Sequence, residues 1–149
     1  MRSTTDTEVV STIEWGEAYS VGLPEVDEDH KVLLSLLNRC INITKQNTKN
    51  NELDTILDEL LSYTQYHFER EEKIMEMCEY PQLNKHKSIH HFFINVLAQH
   101  KMEYQRNELH AEKLLAFLRD WLNIHILGTD KVAASFCKDK KDLIQKALQ

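Results

Sequence analysis

The sequence predicts an all-α protein, an antiparallel up-down-up-down four-helix bundle with an N-terminal arm and a short C-terminal helix. Three observations carry that expectation. After Gly22 and Pro24 the chain has no glycine until Gly128 and one proline, Pro81, which leaves two long stretches where helices fit best. Apolar residues recur at alternating spacings of three and four, the period of a buried helical seam. The stretch Gln65 to Phe93, QYHFEREEKIMEMCEYPQLNKHKSIHHFF, joins two helical segments through one turn at Tyr80-Pro81. It places His67 four residues from Glu71 and His86 four from His90, so each pair shares a helix face and can grip one ion.

Residues 1–24 read as an arm, extended from about Ile13, with Trp15 lying on the bundle. A first helix from about Val26 to Lys45 carries His30, Leu33, Leu34, Leu37, Ile41 and Thr44 on one stripe and ends in the polar run KQNTKNN. The second, about Glu52 to Cys78, aligns Leu53, Leu57, Leu60, Thr64, His67, Glu71, Ile74 and Cys78. The third, about Gln82 to Tyr104, aligns Leu83, His86, His90, Phe93, Leu97 and Tyr104, and the fourth, about Leu109 to Leu127, aligns Leu114, Leu118, Trp121 and His125. The bundle domain is expected over 25–137. Residues 138–149, with the run KDKKDLIQKALQ, form a tail that reads as a short solvated helix.

Axial position makes these stripes informative. His30 falls early in the first helix, His67 and Glu71 late in the second, His86 and His90 early in the third and His125 late in the fourth. Antiparallel alternation brings all of them to one end. A single histidine on an apolar face is commonly a satisfied core residue, but five imidazoles with a glutamate in one layer leave unpaired polar groups costing several kcal/mol unless a cation pairs with them. Asp130, five residues beyond His125, is about 140° away on an ideal α-helix. Gly128 is expected to break the helix and let that carboxylate fold back.

Length and composition bound the rest. The 149 residues fit one domain, and Lys+Arg 18 against Asp+Glu 24 gives a formal charge of -6, so no basic surface points to nucleic acid or an anionic membrane. No run approaches the ~20 apolar residues of a membrane span. Cys40, Cys78 and Cys137 are an odd number without Cys-x-x-Cys spacing; they read as buried thiols, and the protein as cytoplasmic. Five imidazole nitrogens and two carboxylates exceed one tetrahedral zinc and suit a pair of iron ions. The ferritin-like pattern needs Glu-x-x-His, which is absent from the sequence.

The segments VDEDHK, HFEREE, HKSIHHFF and HILGTDK, with IEW ahead of the first helix, closely resemble the hemerythrins, specifically bacterial single-domain hemerythrins (bacteriohemerythrins), over about Ile13 to Phe136. The resemblance implies two iron ions joined by an oxo or hydroxo bridge and reversible O2 binding for storage, delivery or transport. It implies that His86, His90 and His125 bind one iron and His30 and His67 the other, with Glu71 and Asp130 bridging. The first iron then has six ligands and the second five, which leaves an open position on the His30/His67 iron for O2 or for small anions such as azide.

Bound oxygen survives only in a dry pocket; Leu33, Phe68, Trp121 and Leu127 are the expected walls. His91, His100 and His110 lie off the layer and are not expected to bind metal. An oxygen-requiring enzyme is the kind of partner such a store would serve. The alternatives are an oxygen or redox sensor and a di-iron peroxidase or oxidase. An enzyme needs an acid or base beside the metal, and the stripes place no spare ionisable residue on the ligand layer, so a non-enzymatic carrier is the favoured reading.

Overall fold

The computed structural model describes residues 10–46 and 52–140, and no strand occurs among them. Four helices form the body: α1 (Pro24–Lys45), α2 (Glu52–Met77), α3 (Leu83–Gln105) and α4 (Ala111–Ile124). A six-residue π-helical turn, His125–Asp130, follows α4 without a break and runs into α5 (Lys131–Cys137). α1 packs on α2 and α4, α2 on α3, and α3 on α4. The cross-links run antiparallel: Asp29, early in α1, meets Tyr63 and His67, late in α2, and Lys101, late in α3, pairs with Asp58, early in α2.

Helix ends follow local chemistry. α1 starts two residues before the expected Val26, with Pro24 in its first turn, where a missing N–H and a fixed φ cost nothing. Asp27 anchors the preceding chain by accepting from the Val21 N–H (2.8 Å) and the Ser20 hydroxyl (2.6 Å). Gly22 sits at φ 88, a left-handed turn that glycine enters freely. α2 ends where Glu79 adopts φ 56 and the Tyr80 N–H reaches back to the Met75 carbonyl at 2.9 Å, the six-to-one bond of a Schellman stop. That stop and Pro81 reverse the chain between the two helices that carry four of the seven expected ligands.

The expected arm is seen from residue 10. Val10 is buried, and Asn38 clamps Ile13 with two bonds: the Ile13 N–H donates to Asn38 Oδ1 (2.9 Å) and Asn38 Nδ2 donates to the Ile13 carbonyl (2.8 Å). Trp15 is half-buried and lies beneath the Lys31 ammonium, and Tyr19 donates to Asn123 at 2.7 Å. The tail expectation for 141–149 lies outside the described residues. Lys140, just before them, donates to the Cys78 carbonyl at 2.7 Å. Cys40, Cys78 and Cys137 are all buried and free.

Two apolar clusters set the position of the site. The larger holds Leu33, Leu37, Leu57, Leu60, Phe68, Phe93, Leu118 and Leu122 among others. The smaller holds Val21, Leu23, Val26, Ile74, Cys78, Ala134 and Cys137. On α1, His30 falls between Val26 and Leu33; on α2, Glu71 falls between Phe68 and Ile74; on the last segment, His125 and Asp130 fall between Leu122 and Ala134. The polar layer is therefore closed on both sides by hydrocarbon. The arm clamp is separable from it. Asn38→Ala is expected to lower unfolding stability by about 1–2 kcal/mol, the scale of a lost pair of half-buried hydrogen bonds, and to expose the arm to protease. Urea titration and limited proteolysis check both effects.

Candidate metal centre

His30, His67, Glu71, His86, His90, His125 and Asp130 converge as the sequence pattern requires, and none is more than 5% exposed. Their ligand atoms fall into two groups, each mutually within 4.8 Å: Glu71, His86, His90, His125 and Asp130 in one, and His30, His67, Glu71 and Asp130 in the other. The carboxylates belong to both, one oxygen to each. Glu71 Oε1 lies 3.0 Å from His86 Nε2 and 3.2 Å from His90 Nε2, while Oε2 lies 3.0 Å from His67 Nε2. Asp130 Oδ1 lies 2.9 Å from His125 Nε2, while Oδ2 lies 3.0 Å from His30 Nε2. His90, His91, His100 and His110 separate cleanly, because only His90 is in the layer; His91 and His110 are exposed and His100 pairs with Glu103.

Asp130 arrives by a route the sequence reading did not foresee. Gly128 does not break the helix: it lies inside the π turn, has no positive φ and has nothing within 4 Å of the Cβ it lacks. The turn itself solves the angular problem. A π-helical turn pairs residues five apart, so His125 and Asp130, its first and last residues, come onto one face without the chain leaving the bundle. The extra residue carried by the π turn replaces the expected unwinding.

Packing of the atoms points to an absent partner for them. Both ring nitrogens of His30, Nε2 of His67, Oε2 of Glu71 and both oxygens of Asp130 are buried with no hydrogen-bond partner. His30 Nε2 with Asp130 Oδ2 and His67 Nε2 with Glu71 Oε2 stand 3.0 Å apart, within ion-pair reach but without hydrogen-bond geometry. Buried polar atoms are nearly always satisfied, and a cluster of nitrogen and oxygen orphans fits cations held between them.

The outward ring nitrogens are fixed by residues that the sequence reading passed over. His67 Nδ1 donates to Asp29 Oδ2 at 3.0 Å, and Asp29 in turn accepts from the Tyr63 hydroxyl at 3.0 Å and lies 3.7 Å from Arg70 Nε. His90 Nδ1 donates to Glu72 Oε2 at 2.8 Å. A carboxylate behind Nδ1 leaves the Nε2 lone pair aimed inward and raises its basicity. Asp29 and Glu72 correct the expectation that no spare ionisable residue stands at the layer, although both meet the rings from behind. Each directly precedes or follows a ligand in sequence, which hid it; Asp29 also keeps the apolar spacing of Val26, His30 and Leu33, the signal that could have found it.

The four expected pocket walls separate. Leu33 and Phe68 are buried in the larger cluster and Trp121 is half-buried against it. Phe68 stacks on His90 (3.7 Å between centroids, 2°) and Trp121 on His125 (4.4 Å, 18°). Leu127 is 38% exposed and is not gathered with them, because two residues past His125 falls on the opposite helix face. Leu122, three residues before His125 and 1% exposed, shares the cluster with Leu33 and Phe68.

The geometry can now be set beside known proteins. The family model described as the hemerythrin HHE cation binding domain matches residues 21–137. The chain belongs to the hemerythrin family. It is 28% identical to a bacteriohemerythrin of Stenotrophomonas maltophilia over 87% of this chain and 84% of that one, and 28% identical to a myohemerythrin of Theromyzon tessulatum over 83% and 92%. A solved wild-type hemerythrin superposes with TM-score 0.76 at 26% identity, covering 85% of this chain and 98% of the other. As in other members of the family, a non-haem metal-binding bundle is the functional unit, and the two ligand groups that share Glu71 and Asp130 are its candidate di-metal site.

Electrostatics of the metal-free layer follow from this packing. Burial alone would depress the imidazolium forms, but Glu71 and Asp29 outweigh it at His67 and lift its pKa to about 10, and Asp130 lifts His125 to about 9. His30 and His86 are raised as well, by Asp130 and Glu71 against burial. Burial pushes Glu71 and Asp130 upward, and the surrounding histidines overcome it and hold both below the ordinary carboxylate range. The raised histidines stabilise the metal-free fold fully below ~6.5 and lose that contribution as pH climbs through about 9 to 10; the lowered carboxylates contribute above ~4 and lose it as pH falls.

The metal-free chain is therefore expected to be most heat-stable between those limits, which scanning calorimetry in the presence of chelator checks. A metal ion entering this layer must displace protons from His67 and His125 at pH 7, so binding should release protons and tighten as pH rises. Titration calorimetry in buffers of different ionisation enthalpy reads that release directly, and a buffer-independent heat would contradict it.

Proposed function

We propose that the chain binds O2 reversibly at a pair of non-haem iron ions and serves as an oxygen store or delivery protein. The observation that carries this reading is the division of five imidazoles into three and two around two shared carboxylates. His86, His90 and His125 with Glu71 and Asp130 would fill one iron together with an oxo or hydroxo bridge. His30 and His67 with the same two carboxylates and the bridge would leave the other one ligand short, the feature of a reactive metal rather than a structural one. Iron held by these residues would supply the reversible electron transfer that O2 binding needs.

The protein's own contribution is positioning and dryness. Asp29 holds the His67 ring and Glu72 the His90 ring, so the inward nitrogens are presented without reorganisation. Leu33, Phe68, Trp121 and Leu122 are the hydrocarbon closing the upper side of the layer, and water is excluded from the space a small gas or an azide ion would take. An oxygen-requiring enzyme is the fitting recipient. Among the described residues no helix is long and apolar enough to cross a membrane.

Metal analysis tests the stoichiometry: two irons per chain are expected, His86→Ala should lose metal and colour, and His100→Ala should keep both. One zinc per chain would overturn the assignment. Asp29→Asn should keep the fold and weaken metal binding about 10–100-fold, the usual effect of losing a carboxylate behind a ligand histidine. Mixing the reduced protein with O2 in a stopped-flow instrument and then flushing with argon separates carrier from oxidase. The carrier returns to its reduced spectrum, whereas irreversible oxidation would sink it. Leu33→Asn should hold its iron and oxidise faster, because a polar group then stands in the dry wall.

A further inference from the structure

On the di-iron reading, we propose that Arg70 and Tyr63 are positioning residues for the two-histidine site: both hold Asp29 and draw charge from it, and they thereby keep the reduction potential of the metal bound by His67 high. The carboxylate stands where two helices meet. Tyr63, His67 and Arg70 follow one another at spacings of four and three, so they share one face of α2, and Asp29 meets that face from α1. Asp29 is 4% exposed. Its Oδ1 accepts from the Tyr63 hydroxyl at 3.0 Å, its Oδ2 accepts from His67 Nδ1 at 3.0 Å, and Arg70 Nε lies 3.7 Å from the same Oδ2.

Arg70 is itself held in place. Its Nη1 donates to the Tyr66 hydroxyl, one turn earlier on α2, at 2.8 Å, and its Nε is buried with no hydrogen-bond partner. Asp29 Oδ2 stands just beyond hydrogen-bond length from that nitrogen, so the Arg70 charge reaches the carboxylate without a bond that competes with His67. The other anchor lacks both parts. Glu72 accepts from His90 Nδ1 at 2.8 Å, and among the described residues it makes no hydrogen bond to a hydroxyl and no ion pair with a Lys or Arg. The two metal positions therefore differ in the charge behind their ligands as well as in ligand count.

A carboxylate behind Nδ1 makes the imidazole a stronger electron donor, and a ligand that gives more charge favours the oxidised metal. A hydroxyl donating to that carboxylate and a fixed cation beside it act the other way. Each stabilises the negative charge on Asp29 itself and so weakens its pull on the His67 proton. Arg70 adds a direct effect of the same sign, because a positive charge partly withdrawn from solvent, its side chain 26% exposed, disfavours a further positive charge on the metal. The consequence is a position that stays reduced until its small ligand arrives, on the side of the layer where the di-iron reading leaves one place open.

The test is a spectroelectrochemical titration of the full iron-loaded chain and its variants. Arg70→Met and Tyr63→Phe should each keep the iron and the helical content of the parent while the reduction potential moves lower, and their reduced forms should oxidise in air several-fold faster. Arg70→Lys, which keeps the charge, should lie close to the parent; a potential as low as that of Arg70→Met would overturn the role of the charge. Lys85→Met, which removes an exposed cation next to the ligand His86 in sequence, should leave the potential unchanged. The oxidised chain with azide gives a second reading: its azide-to-iron charge-transfer band should move to higher energy in Arg70→Met and Tyr63→Phe, since a more electron-rich ferric ion is harder to reduce. A parental potential and band in either variant with its iron retained would overturn the proposal and leave the di-iron reading standing. An equal shift in Lys85→Met would do the same, by tracing the effect to net charge rather than to Asp29. Loss of iron from either variant would show that residue to be structural and would also overturn the proposal. A parent chain that takes up no iron overturns both readings.

Discussion

Seven ligand-type side chains are packed into a layer with apolar clusters above and below it, and everything else in the structure answers to that constraint. Five imidazoles and two carboxylates at no more than 5% exposure are stable only if their charges and lone pairs are met inside the layer. In the metal-free chain they are met partly by protons, which is why the histidines are raised and the carboxylates lowered together. Those pairings remain incomplete, as the orphaned atoms of His30, Glu71 and Asp130 attest. Cations in the same space satisfy lone pairs that protons cannot share among so many neighbours.

Much of this was legible from spacing. The alternation of three and four, the glycine-free interval and the single Pro81 define four helices, and antiparallel connection converts positions scattered along the chain into one level. His67 with Glu71 and His86 with His90 needed only the α-helical period. Asp130 was legible as a ligand by resemblance but not in its mechanism. Helical geometry puts it on the wrong face, and the sequence HILGTD offers a glycine that looks like a stop. A π turn has no strong side-chain signature, since the wider turn is selected by what its ends must touch rather than by local propensity.

The same limit explains Asp29 and Glu72, whereas Leu127 was legible: two residues after His125, it falls on the far face of a helix of either pitch. The inner surface goes instead to Leu122, three residues before His125. Asp29 and Glu72 adjoin ligands in sequence, where an α-helix sends neighbours about 100° apart. Their role appears only when a ring from another helix is set beside them: His67 of α2 against Asp29 of α1, His90 of α3 against Glu72 of α2. Inter-helix pairings of this kind are properties of the assembled layer, invisible to any single stripe.

The ligand rings are held in different ways on the two sides of the layer. Phe68 and Trp121 cover the rings of His90 and His125 with aromatic surface, so the three-histidine side is sealed by stacking. The two-histidine side is tied instead to Asp29, Tyr63 and Arg70 by hydrogen bonds and charge, and of these Tyr63 reaches an open groove between α1 and α2. Stacked rings over one set of histidines and a carboxylate anchor behind another serve the same end: the inward nitrogens keep their direction in a layer that has hydrocarbon on both sides.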